Sequence, residues 1–196
     1  VSLPTRSLRS TGNPGRDAAA DARGRRIVAV IECILNQNAR DAGAAASTAL
    51  NAGVLRLCET HGVGLIQIPC PEIALLGCAR HRCAGESLRA ALDTPEGRAR
   101  CRAIAGAIGE QVAGYAAAGC RVMAVLGGNT RSPGCAVHAE DDGLLASSGV
   151  LMRELQREFR ARNIDVPFRG IRDADAALEA EDLEWLRRLF AEDGGC

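Results

Sequence analysis

Short apolar runs alternate with longer stretches of helical period along most of the chain. Ile27-Val28-Ala29-Val30-Ile31 is continuously apolar after Arg25-Arg26, the pattern of a strand buried on both faces. Leu50, Val54, Leu57 and Cys58 recur at helical spacing and predict a helix from about Ser47 to Thr60, with Gly62 placed to end it. Val63 to Ile68 is a second strand. The segment from about Ile73 to Asp93 has no clear period and reads as mixed loop and short helix. Thr94-Pro95-Glu96 is a helix start, threonine as N-cap and proline in the first turn. Cys101, Ile104, Ala105, Ile108, Val112 and Tyr115 then define one face of a long helix that Gly119 stops. Arg121 to Leu126 is a third strand. A fourth helix spans about Ser148 to Arg162, with Leu151, Leu155 and Phe159 inside. Asp165 to Ile171 is a weak fourth strand, and Pro167 assigns it to a sheet edge. Leu178, Trp185, Leu186 and Leu189 mark a last helix.

Strands alternating with helices predict right-handed crossovers and a parallel sheet. The expected fold is a single α/β domain, Rossmann-like, with about four parallel strands flanked by helices. It would occupy residues 25–192, between a disordered N-terminal tail (1–24) and a short C-terminal tail (193–196). In such sheets ligands bind beyond the carboxyl ends of the strands. Three cysteines lie just there: Cys33 after the first strand, Cys70 in Pro69-Cys70-Pro71-Glu72 after the second, and Cys135 in Ser132-Pro133-Gly134-Cys135 after the third.

Composition narrows the chemistry. The 196 residues are 47% hydrophobic and only 3% aromatic, enough for a core of Ala, Val, Ile and Leu. A formal net charge of +0 gives no electrostatic footprint for a nucleic acid polymer. No apolar stretch approaches the ~18 residues that span a bilayer. All 24 basic residues are arginine, which removes lysine Schiff-base chemistry and the P-loop lysine. Nine cysteines, an odd number in an apolar chain with no secretory signal, do not read as a disulfide framework. A reducing cytoplasm, in which thiolates stay available for metal, fits them.

Three thiolates suit an iron–sulfur cluster with one iron open to an outside ligand. The competing reading is three cysteines packed as small hydrophobes. Cys58, Cys101 and Cys120 are expected in the core or at a strand entry. Cys78, His81 and Cys83 resemble half of a zinc site without its other half. His138 is expected on a surface loop, and His61 at a helix carboxyl end. The arginines Arg80, Arg82, Arg89, Arg98, Arg100 and Arg102 read as a solvated face; the alternative reading is a patch that draws in a phosphorylated substrate.

Cys33-Ile34-Leu35-Asn36-Gln37-Asn38, Gln67-Ile68-Pro69-Cys70-Pro71-Glu72 and Ser132-Pro133-Gly134-Cys135, in this order, resemble the motifs of the thiouracil desulfidase family over about Ile27 to Ile171. The resemblance implies a 4Fe–4S cluster on Cys33, Cys70 and Cys135, whose open iron takes sulfur from a small thiolated substrate. It places the catalytic acid on Glu72 and the catalytic serine on Ser132. Locally, Glu72 is also a carboxylate suited to a helix N-terminus, and Ser132 a turn residue. Asn36, Asn38, Arg40 and Asn129 would bind substrate from the same rim. Two departures stand out: Glu32 occupies a position where relatives often carry histidine, and the third motif reads Gly-Cys-Ala where Ser-Cys-Gly is common. The implied activity is a non-redox desulfidase releasing hydrosulfide from a thiopyrimidine or related thiocarbonyl. The alternatives are a non-catalytic iron–sulfur sensor or sulfide-binding protein, and a metal-free transferase using Cys70 or Cys135 as nucleophile.

Overall fold

The computed structural model describes residues 21–140 and 143–192. The expected tails therefore lie largely outside the described residues. The first strand, β1 (Arg26–Ile31), is buried almost throughout, with Val28, Ala29 and Val30 fully shielded. Each such valine contributes roughly 1.5–3 kcal/mol by leaving water. A single helical turn, α1 (Glu32–Leu35), and a 3-10 turn (Gln37–Ala39) follow. Next come α2 (Ala52–Thr60), β2 (Val63–Ile68), α3 (Pro71–Leu76), α4 (Leu88–Leu92) and α5 (Pro95–Ala117). The chain continues through β3 (Arg121–Gly127), the strand pair β4 (Ala139–Glu140) and β5 (Gly143–Leu144), α6 (Val150–Ala161), β6 (Phe168–Gly170) and α7 (Ala176–Glu192).

The main sheet has the order β2-β1-β3-β6 and every pair in it is parallel. The expected α/β architecture is thus present as one domain, and the strand preceded by Pro167 lies at an edge. The crossover from β1 to β2 runs one way across the sheet, and those from β2 to β3 and from β3 to β6 run the other way. Right-handed crossovers then set α2 on one face and α5 and α6 on the opposite face. The packing agrees: α2 meets α7, while α5 meets α6. The reversal falls between β1 and β3, so a crevice opens beyond their carboxyl ends.

Several local expectations are corrected. The helix expected from Ser47 begins at Ala52, because the Asn51 side chain accepts from the Val54 N–H as its N-cap. The residues before it are held instead against the first cysteine loop. Gln37 N–H donates to the Ala49 carbonyl, Asn51 N–H to the Ile34 carbonyl, and Ala46 N–H to Gln37 Oε1. Tyr115 is exposed rather than on the inner face of α5. The β4–β5 pair has no counterpart in the periodicity. Elsewhere the signals hold: Thr94 Oγ1 caps α5 through the Gly97 N–H, and Leu151, Leu155 and Phe159 are buried in α6. His61 is the C-cap of α2. Cys58 and Cys101 are buried in the core. Among the described residues no helix is long and apolar enough to cross a membrane.

Candidate functional site

The three cysteines leave from neighbouring strand ends, because Ile31 pairs with Ile68 and Val30 with Leu126 in the parallel registers. Three ties then draw the loops together. Glu32 Oε2 accepts the Cys70 backbone N–H at 2.8 Å, joining the first loop to the second. Gly134 lies so close to Pro71 that a Cβ there would stand 2.6 Å from its Cγ, joining the third loop to the second. Gly128 N–H donates to the Cys135 carbonyl at 2.7 Å, folding the third loop back onto its own strand.

Cys135 feels the other two cysteines. Burial pushes the Cys135 thiol well above its ordinary value, and the neighbouring Cys70, Cys33 and Glu72 add to the shift. Burial likewise pushes Cys70 up to about 11, with Glu72 acting in the same direction. Arg80 and the N–H groups of Glu72 and Ile73 oppose it, although Cys70 closes no full capping bond to α3. Cys33 is raised by burial against the opposing pull of Arg40.

Glu72 is buried in the first turn of α3, and its Oε2 accepts from Arg80 Nε at 3.3 Å. Ser132 is half-buried, and its Oγ accepts the Cys135 N–H at 3.3 Å. Arg40 binds Asp173 through Nη2, 2.7 Å from each carboxylate oxygen, and its charge acts on the neighbouring Cys33. Asn129 donates to Asp173 Oδ1 at 2.9 Å and accepts the Ala174 N–H, so both ends of its amide are engaged. Asn36 and Asn38 are exposed and turned on each other: Asn36 Oδ1 accepts from both the backbone and side chain of Asn38.

One expectation fails outright. Arg80 is not on a solvated face; its side chain is 1% exposed and lies inside the site. It adopts φ 51°, a left-handed conformation costing a non-glycine residue about 1–2 kcal/mol. The turn that imposes this follows α3: Gly77 at φ 73° ends the helix, Arg80 N–H donates to Gly77 O, and His81 N–H returns to Leu76 O. Glu32 and Asp173 were also missed as site residues. Asp173 follows the end of β6, so the strand-end rule that selected the cysteines points to it as well. Glu32 carried only the signal of standing beside Cys33.

Cys78 and Cys83 are exposed. Among the described residues no three His, Cys, Asp or Glu side chains form a set able to hold a single metal ion, so the half zinc site gains no partner. An iron–sulfur cluster makes a different demand, since each thiolate ligates a different iron and the sulfurs stand wider apart than around one ion. One buried and two partly buried cysteines, two of them influenced by a neighbouring guanidinium charge, fit that demand in donor type and charge. Two clefts of about 510 and 450 Å³ open elsewhere, beside α2 and β2 and between α6 and the β4–β5 pair, and neither is lined by the three cysteines.

No family model, no curated protein and no solved structure matches the chain.

Proposed function

We propose that Cys33, Cys70 and Cys135 hold a 4Fe–4S cluster and that the protein is a desulfidase, releasing hydrosulfide from a small thiolated compound such as a thiopyrimidine. The observation carrying this reading is the convergence of three cysteine loops beyond adjacent strand ends, tied by the Glu32–Cys70 N–H hydrogen bond and the Gly134–Pro71 contact, with Cys70, Cys33 and Glu72 acting on the buried Cys135. Bound there, the cluster supplies a Lewis-acidic, sulfur-seeking iron free of protein ligand. The chain's own residues supply the rest. Glu72, one turn into α3 beside Cys70, takes a proton from water as it adds to the thiocarbonyl carbon, and returns a proton as the C–S bond breaks. Water adds, hydrosulfide leaves, and no electrons are exchanged, so no nicotinamide or flavin is required. Ser132 Oγ accepts from Cys135 N–H, which leaves its own hydroxyl proton to donate to the substrate. The exposed Asn36 and Asn38 form the polar rim.

The test is anaerobic reconstitution, iron and sulfide analysis, and hydrosulfide release from a panel of thiopyrimidines and thioamides. Wild type should take up a cluster and turn over at least one member. Glu72→Ala should retain iron and lose turnover; a fully active Glu72→Ala removes that residue from the chemistry. Absence of iron from the anaerobically reconstituted wild type would refute the proposal.

A second reading, a non-catalytic iron–sulfur sensor, draws on Cys101. This cysteine, buried on α5, also contributes to the upward shift of Cys135. A fourth protein ligand would close the open iron. Cys101→Ala decides between them: retained cluster and turnover support the desulfidase, and loss of the cluster supports the sensor.

A further inference from the structure

Among the described residues Arg80 is one of few buried charged side chains, and it is held by acceptors from three parts of the chain. Its Nε donates to Glu72 Oε2 at 3.3 Å, and its Nη1 to the Cys78 carbonyl at 3.2 Å. Its Nη2 donates to the Ala39 carbonyl, in the first cysteine loop, and lies 3.6 Å from Cys70 Sγ. These contacts engage four of the roughly five N–H donors of a guanidinium. A lysine ammonium has only about three and lacks the planar fork. The left-handed backbone at Arg80 is tolerated only where the surroundings over-determine it, and such positions cluster at functional sites.

A purely packing role does not account for this arrangement. A buried guanidinium needs a carboxylate, which Glu72 supplies, and carbonyls, which Ala39 and Cys78 supply. The contact to sulfur is additional to those. It joins the acid–base residue and a cluster ligand through one rigid group, so their separation cannot change without moving Arg80.

We propose that Arg80 is the positioning residue of the site: it locks Glu72 to Cys70 at a fixed separation and donates to the ligand sulfur, tuning the cluster held there. This rests on the cluster reading given above. A donor and positive charge beside a ligand sulfur stabilise the more reduced, more negative cluster and so raise its reduction potential. The same clamp holds the Glu72 carboxylate in place for proton transfer, where small misplacements cost large factors in rate.

The experiment compares wild type, Arg80→Gln and Arg80→Lys after anaerobic reconstitution. It reads iron content, the cluster's midpoint potential, its absorption and resonance spectrum, and kcat and KM for hydrosulfide release, with circular dichroism reporting the fold. Arg80→Gln should keep its fold, show a lower potential and an altered spectrum, and lose at least about tenfold in kcat with a smaller change in KM. Arg80→Lys, which keeps charge but not the fork, should recover part of the potential and less of the rate. Wild-type potential and kcat in a folded, loaded Arg80→Gln overturn the proposal. Failure of both variants to fold also overturns it, by making Arg80 a structural residue. A wild type that takes up no iron overturns the cluster reading and this inference together, whereas a loaded, active wild type with unaltered variants overturns this inference alone.

Discussion

Replacing Asp173 by alanine should be among the most damaging single changes at the site, and its cost follows from the partners left behind. Asp173 and Arg40 are 3% and 8% exposed, so their pair is buried on both sides. Removing one member of such a pair costs about 3–5 kcal/mol, because the remaining charge stays out of water uncompensated. Asn129 loses its 2.9 Å acceptor, adding about 1 kcal/mol. Asn51 loses little, since it keeps Glu179 Oε1 at 2.7 Å. The expected loss is about 4–6 kcal/mol out of a total of roughly 5–15. Urea unfolding followed by circular dichroism measures it. With a slope of about 2 kcal/mol/M, the midpoint should fall by about 2–3 M at unchanged slope. Arg40→Met combined with Asp173→Leu removes both charges and should cost less than Asp173→Ala alone. A loss below about 1 kcal/mol for the single variant, or strict additivity in the pair, would refute the reasoning.

Other outcomes follow from neighbouring contacts. Gly149→Ala would set a Cβ 2.3 Å from the backbone of Gly134 and 2.4 Å from Cys135 N; as backbone cannot swing aside, thermal unfolding should show a loss above about 2 kcal/mol and anaerobic loading should show less iron. Glu32→Ala strands the Cys70 N–H and should cost about 1–3 kcal/mol in urea unfolding, with Glu32→Gln, which keeps an acceptor oxygen, nearer to wild type. The metal-free protein should lose stability as pH rises from about 9 toward 11–12. Burial raises Cys58 from 9.0 to about 11 and Cys101 from 9.0 to about 12, so in that window the unfolded chain releases protons that the folded chain retains. Melting temperature against pH checks this, and Cys101→Ala should flatten the slope; an unchanged slope would exclude Cys101 as a source.

The sheet and the cysteine edge were legible in the sequence because both rest on short-range signals. β1 is an unbroken apolar run, and Cys33 and Cys70 each stand two residues past a strand's end, where parallel topology decides their neighbours; Cys135 lies farther along its loop, which the Gly128 N–H folds back onto β3. The start of α2 was not legible, since its Leu50 fits the helical period while Asn51 caps one residue later. Arg80 was read with the exposed arginines because composition carries no sign of burial. Its place depends on Gly77 turning the chain back under α3, and on acceptors at Ala39 and Glu72, forty-one and eight residues away. Asp173 was within reach of the strand-end rule, but its pairing was not legible, because its partners Arg40 and Asn129 come from other strand ends.

The charge balance of this edge bears on what the cysteines do. Two buried guanidinium groups, Arg40 and Arg80, face three carboxylates, Asp173, Glu72 and Glu32, so with all thiols protonated the network already carries an excess of negative charge. Three bare thiolates would place three further uncompensated charges beside those carboxylates, and burial together with Glu72 raises all three cysteines. A metal-free nucleophile at Cys70 or Cys135 is therefore poorly served, because a reactive thiolate needs a depressed pKa and both of these are raised. A cationic iron core changes the balance: bound to three thiolates it leaves only a small net negative charge, spread over many atoms. Arg80 already lies 3.6 Å from the Cys70 sulfur, and the Arg40 charge acts on Cys33, so a residual negative charge there would be felt by both. Three cysteines packed merely as hydrophobes would give no reason for a buried arginine donor at the Cys70 sulfur.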